Sequence, residues 1–154
     1  MKIYQRWLHV IGVSFGCAAL VLSTSSARAQ EDKVIKELSF ADTERVLGTM
    51  KIEYEEVSEG TYRFQLLGYK TLLLSKKINL QLYASFKKKV TVNKINEWNR
   101  DKRYARAYID KEGDPCLELD LDLEGGSSMG AVREMFRTWR TCVKLFTEHI
   151  GYDE

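Results

Sequence analysis

The sequence predicts an α+β fold in which three helices accompany a mostly antiparallel sheet of five to six strands. Apolar and polar residues alternate over short runs that are separated by turn residues, which is typical of antiparallel strands with one buried face. Three other stretches repeat apolar residues every three or four positions, which indicates amphipathic helices. The predicted order is one helix, three or four strands, a second helix, two strands and a final helix.

The first predicted helix follows the capping residue Ser39 and ends near Met50. The segments 51–55 and 61–66 alternate apolar with polar residues around a turn at 58–60, which predicts a β-hairpin. Further strands are predicted at 71–74 and 78–86.

The second predicted helix spans residues 91–102 and leads into a second hairpin. Val92, Ile95 and Trp98 share one face of this helix, so we expect them to be buried. Trp98 is therefore interpreted as a packing residue before a binding residue.

The second hairpin is predicted from strands at 104–110 and 116–123, joined by a turn at 111–115. Placing Ala107 opposite Leu119 puts the apolar side chains of both strands on one face. The same register sets Ile109 against Leu117, Arg106 against Asp120, Tyr108 against Glu118, and Tyr104 against Asp122. The face that carries the polar pairs is expected to be exposed to solvent, with an ion pair between Arg106 and Asp120.

The final helix has the clearest apolar period in the chain, from Met129 to Ile150. Ser127 or Ser128 is expected to cap it, and Gly151 to end it. Its other side carries a row of cations, Arg133, Arg137, Arg140 and Lys144. We interpret this row as a solvated helix face, and the alternative is a site for an acidic partner.

Residues 1–29 are predicted to be a cleavable secretory signal peptide. Lys2 and Arg6 precede a long uncharged run whose apolar part is shorter than the ~20 residues of a membrane-spanning helix. Ala27 and Ala29 provide the small residues that signal peptidase requires, so cleavage is expected after Ala29. The mature protein is expected to be periplasmic or secreted and not stably inserted in a membrane. An uncleaved anchor is the alternative.

The mature chain is expected to have a flexible segment at 30–38, one α+β domain at 39–151 and a short tail at 152–154. Signal removal lowers the number of Lys and Arg residues from 24 to 21 against 22 Asp and Glu residues, so the formal net charge becomes −1. This near-neutral charge does not favour nucleic-acid binding through phosphate neutralisation.

The mature sequence offers little material for catalysis or for cofactor binding. His149 is its single histidine, which is expected to serve the end of the last helix, and no nucleotide-binding or zinc-protease motif occurs. Cys116 and Cys142 are predicted either to form one disulfide or to remain unreactive thiols. The acidic row Glu118, Asp120, Asp122 and Glu124 is interpreted as the solvated face of a strand, with a cation site as the alternative. We therefore expect no cofactor, no metal and no enzymatic activity.

The segment from Ile95 to Tyr108, followed by the turn at 110–114, a strand of alternating leucines and acids, and Gly125-Gly126, resembles the YbjN family of bacterial proteins. The resemblance extends from about Ser39 to Ile150. It implies a sensory transduction regulator with a fold like that of type III secretion chaperones, in which helices pack on a mostly antiparallel sheet and two subunits often associate. The candidate partner-binding or family-signature residues are Asn96, Trp98, Asn99, Arg100, Tyr104, Arg106 and Tyr108.

Three functional hypotheses follow. The first is an exported, non-catalytic binding or regulatory module that recognises a protein or peptide partner through its sheet or a groove beside the Trp98 helix. The second is a structural envelope protein that acts as a homodimer. The third is a small hydrolase or metal-dependent enzyme that uses the acidic row and Arg106 on the polar sheet face.

Overall fold

A six-stranded antiparallel sheet forms the centre of the computed structural model, which describes residues 33–152. Its elements, in chain order, are β1 (Val34–Ile35), α1 (Phe40–Thr49), β2 (Tyr54–Ser58), β3 (Thr61–Leu66), β4 (Tyr69–Ser75), β5 (Asn79–Ser85), α2 (Val92–Asp101), β6 (Arg106–Ile109), β7 (Pro115–Asp122), β8 (Ser127–Ser128) and α3 (Met129–Ile150). The strand order across the large sheet is β2-β3-β4-β5-β7-β6, and β1 pairs with β8 in a separate two-stranded sheet. The predicted α+β class and the order of helices and strands are confirmed.

Each helix begins after a capping residue, and Ser39, Ser128 and Gly151 are caps that the sequence predicted. Ser39, Thr91 and Ser128 each accept a hydrogen bond from the backbone N–H three residues later, which satisfies one unpaired donor of the first helical turn. Gly151 ends α3 in the left-handed conformation, with φ 63°, where a residue without Cβ is favoured.

The helices pack on one face of the sheet and enclose the core. The buried face of α3 includes Phe146, whose ring lies 5.0 Å from that of Trp98, and Trp139, whose Nε1 donates to Thr71 Oγ1 on β4. Alternate residues of the strands point to the opposite face, which we call the open face because the described helices lie on the other side.

The second hairpin forms with the predicted faces but in a different register. Ala107 pairs with Leu117 and Arg106 with Glu118, so the prediction was wrong by two residues along β7. A shift of two residues keeps each side chain on its face, so alternation alone could not exclude it. The turn decides the register, because Asp110 and Asp114 close it through backbone and side-chain hydrogen bonds.

Further residues of this hairpin differ from the predicted pairing. Tyr108 pairs with Cys116 and Ile109 with Pro115, while Tyr104 precedes β6 and has no strand partner. The predicted Arg106–Asp120 ion pair is replaced by one between Arg106 and Glu118.

Both ends of the described chain contact the domain. Val34–Ile35 pairs with Ser127–Ser128, and Leu38 is buried, so the last part of the segment expected to be flexible is held in place. The ring of Tyr152 packs against Phe86 at a centroid distance of 5.3 Å, although this residue was assigned to the tail. The predicted signal peptide, with Ala27 and Ala29, lies outside the described residues.

Of the two states predicted for the cysteines, the structure has the free thiols, because Cys116 lies on the open face and Cys142 lies on α3 in the core on the other side of the sheet. One expectation for α2 is corrected. Val92 is 63% exposed rather than buried, because it is the first residue of α2 and lies beyond the part of the helix that packs on the core. Between residues 33 and 152, no helix is both long and apolar enough to cross a membrane.

Candidate functional site

Two adjacent residues of α2 fasten this helix to the strand that follows it. Trp98 is 1% exposed, which confirms its predicted packing role, and its Nε1 donates to the carbonyl of Ala105 at 3.0 Å. Asn99 Nδ2 donates to the carbonyl of Ala107, and Asn99 Oδ1 accepts from the N–H of Ala107, both at 2.9 Å. Asn99 therefore has a structural role that the sequence did not reveal.

The Asn99 contact also closes one edge of the sheet. β6 is an edge strand, and the unpaired backbone donors and acceptors of an edge strand can bond to a strand of another chain. The amide of Asn99 forms hydrogen bonds with the N–H and the carbonyl of Ala107, so these two groups are not available to such a strand. The opposite edge, β2, has all five residues exposed.

The remaining predicted residues of α2 lie at the surface. Asn96 is exposed. Arg100 is also exposed, and its Nε donates to Asp101 Oδ1 at 2.8 Å, which lowers the pKa of that carboxyl group. Neither residue approaches the core, so any role they have in recognition would be at the surface.

A groove of about 340 Å³ lies between the end of α2 and the middle of α3. Trp98, Cys142 and Leu145 provide apolar lining, and burial raises the pKa of the Cys142 thiol, which keeps it neutral. Lys102, Arg103, Tyr104, Glu134, Arg137, Thr138 and Thr141 complete the lining. We call this feature the α2–α3 groove.

Tyr104 lies at this groove with a backbone conformation that is unusual for its residue type. Its φ is 73°, and the N–H of Ala105 donates to the carbonyl of Arg103 at 3.0 Å, which is the hydrogen bond of a γ-turn centred on Tyr104. The γ-turn with positive φ is the strained form, and aromatic residues rarely adopt it. The turn holds a tyrosine that is 80% exposed, so the side chain gains little from burial within the domain.

The α2–α3 groove carries net positive charge. Three cations line it, Lys102, Arg103 and Arg137, against the single acid Glu134. Glu134 is already paired with Arg137 at 3.1 Å. Arg137 belongs to the cationic row that the sequence analysis noted on the last helix, so part of that row borders a concave surface.

The open face holds a second group of predicted residues, centred on Glu118. Arg106 donates to Glu118 Oε2 through Nε at 2.9 Å and Nη2 at 2.5 Å, and the Tyr108 hydroxyl donates to Oε1 at 2.7 Å. These contacts cover the carboxylate, and Glu118 is only 7% exposed. The expectation that Glu118 lies on a solvated face was wrong, because β7 is an interior strand whose neighbours on both sides contribute large side chains.

Cys116 and Tyr83 form a neighbouring contact on the same face. The Cys116 Sγ lies 3.1 Å from the Tyr83 hydroxyl, and the thiol is within 3.5 Å of Asp110 Oδ2. Burial raises the pKa of the Cys116 thiol, and burial together with this contact raises the pKa of Tyr83 to about 12. Both groups remain protonated near neutral pH, so neither is an activated nucleophile.

The rest of the acidic row makes ordinary surface contacts. Asp120 accepts a hydrogen bond from Gln81, and Asp122 accepts one from the backbone N–H of Glu124. In the part of the chain that the structure describes, no group of three or more His, Cys, Asp or Glu side chains is placed to hold a metal ion. His149, near the end of α3, lies 2.8 Å from the carbonyl of Lys94 and joins that helix to α2.

The sequence analysis singled out Trp98 and Tyr104 but missed the other lining residues of the α2–α3 groove. Cys142 was predicted to be a disulfide partner or an unreactive thiol, and Arg137 was interpreted as part of a solvated face. Leu145 was not singled out, although it is an apolar residue outside the main apolar stripe of its helix and is 37% exposed. An apolar residue outside the apolar stripe of a helix was the sequence signal that could have indicated the groove.

Comparison with known proteins identifies one related family. The model of the YbjN family, described as "putative bacterial sensory transduction regulator", matches residues 50–151. This range includes the large sheet, α2, α3 and every lining residue of the α2–α3 groove. No curated protein and no solved structure matches the chain.

Proposed function

The chain belongs to the YbjN family, and we propose that it is an exported, non-catalytic regulatory module that recognises a protein or peptide partner in the bacterial envelope. The partner binds in the α2–α3 groove. The observation that carries this proposal is Tyr104, an exposed aromatic side chain held at the groove by a strained γ-turn.

Backbone strain supports a binding role for Tyr104. A non-glycine residue at positive φ costs on the order of 1–3 kcal/mol, and such strain is concentrated at functional sites. A side chain that is 80% exposed does not recover this cost through packing in the free protein. Burial of the ring against a partner would recover it, because tyrosine is among the residues that contribute most at protein interfaces.

The lining of the groove supports a peptide or protein as the partner. An apolar floor next to exposed cations resembles the apolar centre and polar rim of protein interfaces. Leu145 is 37% exposed and belongs to this floor, so a partner side chain placed there would be removed from water.

The chemistry of the open face supports a non-catalytic role. Glu118 accepts three hydrogen bonds from Arg106 and Tyr108, which leaves its carboxylate committed to them. Cys116 is fully buried. The enzyme hypothesis relied on Arg106 and the acidic row. Arg106 and Glu118 are paired with each other, and Asp120 and Asp122 make separate contacts at the surface.

Export is supported by the sequence alone. The charged start, the apolar run and the small residues Ala27 and Ala29 together are typical of secretory signal peptides. A regulator with this leader would meet its partner outside the cytoplasm.

Site-specific photo-crosslinking in intact cells tests the proposal. A photoreactive amino acid at Tyr104 should give one discrete crosslinked protein, identified by mass spectrometry. The same amino acid at Leu67, which is 42% exposed in the turn between β3 and β4, is the matched control and should give none. Adding Leu145→Glu to the Tyr104 probe should abolish the product, because it places a charge on the apolar floor. Equal products from both positions, or a product that survives Leu145→Glu, would reject the groove as the binding site.

A further inference from the structure

We infer that a second copy of this chain packs on the open face of the sheet, with the two faces related by a two-fold axis. This interface is separate from the α2–α3 groove, which lies on the helical side. The inference rests on the side chains that the register of the sheet brings into one row.

One row crosses all six strands of the sheet. In the order β2-β3-β4-β5-β7-β6, the register aligns Glu55, Arg63, Leu72, Tyr83, Glu118 and Arg106. The row therefore reads acid, base, apolar, aromatic, acid, base. Its two ends are ion pairs within the chain, Glu55 with Arg63 at 2.9 Å and Glu118 with Arg106 at 2.5 Å.

The charges of this row are complementary to the charges of the same row read in the opposite direction. When two open faces meet across a two-fold axis that runs parallel to the strands, the first strand of one copy lies over the last strand of the other. Glu55 then faces Arg106 of the partner copy, and Arg63 faces Glu118 of the partner copy. Each end of the interface then brings two acids and two bases together. Arg106, whose side chain is 68% exposed, is free to contact Glu55 of the other copy, whereas Glu118 stays covered by its own Arg106 and Tyr108 and attracts Arg63 as a nearby charge.

Arg63 has donor capacity for the additional contact. Its side chain is 38% exposed and its Nη2 donates to Glu55, so the exposed part of the guanidinium group, and not its buried Nε, faces a second copy. A guanidinium group can serve two carboxylates through its five donors, so a second acid does not displace the first.

The middle of the open face is apolar. Leu72 and Leu74 of β4 lie beside Tyr83 of β5, and all three are half-buried in the single chain. An apolar centre surrounded by charged residues is the common arrangement of a protein interface. Strands about 4.8 Å apart make the face about 24 Å wide, and strand lengths of about 20 Å give roughly 500 Å² per copy. Two such faces bury about 1,000 Å², which is near the lower limit for a specific interface.

The sheet edges favour stacking over edge-to-edge association. At β6, the amide of Asn99 occupies the outward backbone groups of Ala107. At β2, two-fold pairing of the strand with itself would bring Glu55 and Glu56 close to the same acids of the other copy, and like charges across a strand pair are destabilising.

A double charge exchange tests the interface while preserving the ion pair within the chain. In Glu55→Arg/Arg63→Glu, the exchanged residues can still pair with each other across β2 and β3. Against a second copy, however, they place arginine near Arg106 and glutamate near Glu118. We expect the wild-type protein to sediment as a dimer at about 100 μM and the variant to dimerise at least about tenfold more weakly. Leu72→Glu, which charges the centre of the face, should weaken the dimer as well.

The matched control is Lys144→Glu/Glu148→Lys, which exchanges an ion pair on α3 away from both the open face and the α2–α3 groove. It should sediment as the wild type does. Circular dichroism establishes that each variant is folded before sedimentation. A monomeric wild-type protein would overturn the inference, and so would a dimer whose dissociation constant is unchanged in both the Glu55→Arg/Arg63→Glu and the Leu72→Glu variants.

Discussion

The side-chain amide of Asn99 lies against the backbone of Ala107 as a neighbouring strand would, donating to its carbonyl and accepting from its N–H, both at 2.9 Å. A single side chain thereby occupies one position on the edge of the sheet and fixes α2 relative to β6. Trp98 adds a third hydrogen bond, to the carbonyl of Ala105 on the same segment. These contacts also restrict the position of Tyr104, which lies in the chain between Asn99 and Ala105.

Asn99→Ala should lower the free energy of unfolding by about 1–3 kcal/mol, because it removes both bonds and leaves the outward groups of Ala107 unpaired. Urea unfolding followed by circular dichroism measures the change. Asn96→Ala is the matched control, since Asn96 is exposed on the same helix, and it should change the free energy by less than about 0.5 kcal/mol. Equal effects of the two substitutions would show that the amide contact does not hold the edge.

Trp98→Ala should cost about 3–5 kcal/mol and reduce the soluble yield, because it empties a core site that is 1% exposed. Trp98→Phe should cost less, since the phenyl ring fills part of the space and only the bond to Ala105 is lost entirely. Thermal unfolding of both variants measures these effects. Unchanged stability together with altered partner recovery would mean that Trp98 is a binding residue instead.

Alkaline pH should destabilise the protein through the tyrosines whose pKa values are raised in the folded state. Burial raises the pKa of Tyr83 to about 12, from an ordinary value of 10.0, so its contribution is complete below pH 10 and is lost as the pH rises toward 12. Burial also raises the pKa of Tyr62 to about 12 and raises that of Tyr108. The melting temperature of Tyr83→Phe should therefore fall less steeply above pH 10 than that of the wild type. Tyr104→Phe, at an exposed position, should retain the wild-type slope, and identical slopes for all three proteins would contradict the assignment.

The exported protein should begin at Gln30, because Ala27 and Ala29 supply the small residues at the cleavage site. Intact-mass spectrometry of protein recovered from the periplasm or the medium measures this directly. Ala29→Lys should block processing, whereas Ser26→Ala, outside the recognised pair, should not. Recovery of exported wild-type protein that retains residues 1–29 would make the apolar run an anchor.

Local patterns in the sequence were sufficient for the helices and the faces of the strands. The apolar period of α3, the caps Ser39 and Ser128 and the stop at Gly151 depend on neighbouring residues only, and each was predicted. The hairpin register was not, because a slip of two residues leaves every side chain on the same face. Hydrogen bonds between Asp110 and Asp114 decide between the two registers.

Features that depend on contacts distant in sequence could not be predicted. The position of β7 between β5 and β6 brings Tyr83 and Tyr108 to either side of Cys116 and Glu118, and no local pattern encodes that order. The candidate site shows the same limit. Tyr104 was selected from the signature, but the groove exists only because α3 packs beside the end of α2.

The central claim is that Tyr104 is held in a strained turn for partner binding, and the variant Tyr104→Asn tests it most directly. Asparagine tolerates positive φ better than tyrosine, so the variant should fold with a melting temperature equal to or above that of the wild type. Loss of the exposed ring should nevertheless reduce recovery of the crosslinked partner by at least about tenfold, which corresponds to about 1.4 kcal/mol of binding free energy. A longer-range crosslinker attached at Thr141, on the groove wall, measures recovery in both proteins at equal soluble concentration. Undiminished recovery from a folded Tyr104→Asn protein would contradict the account.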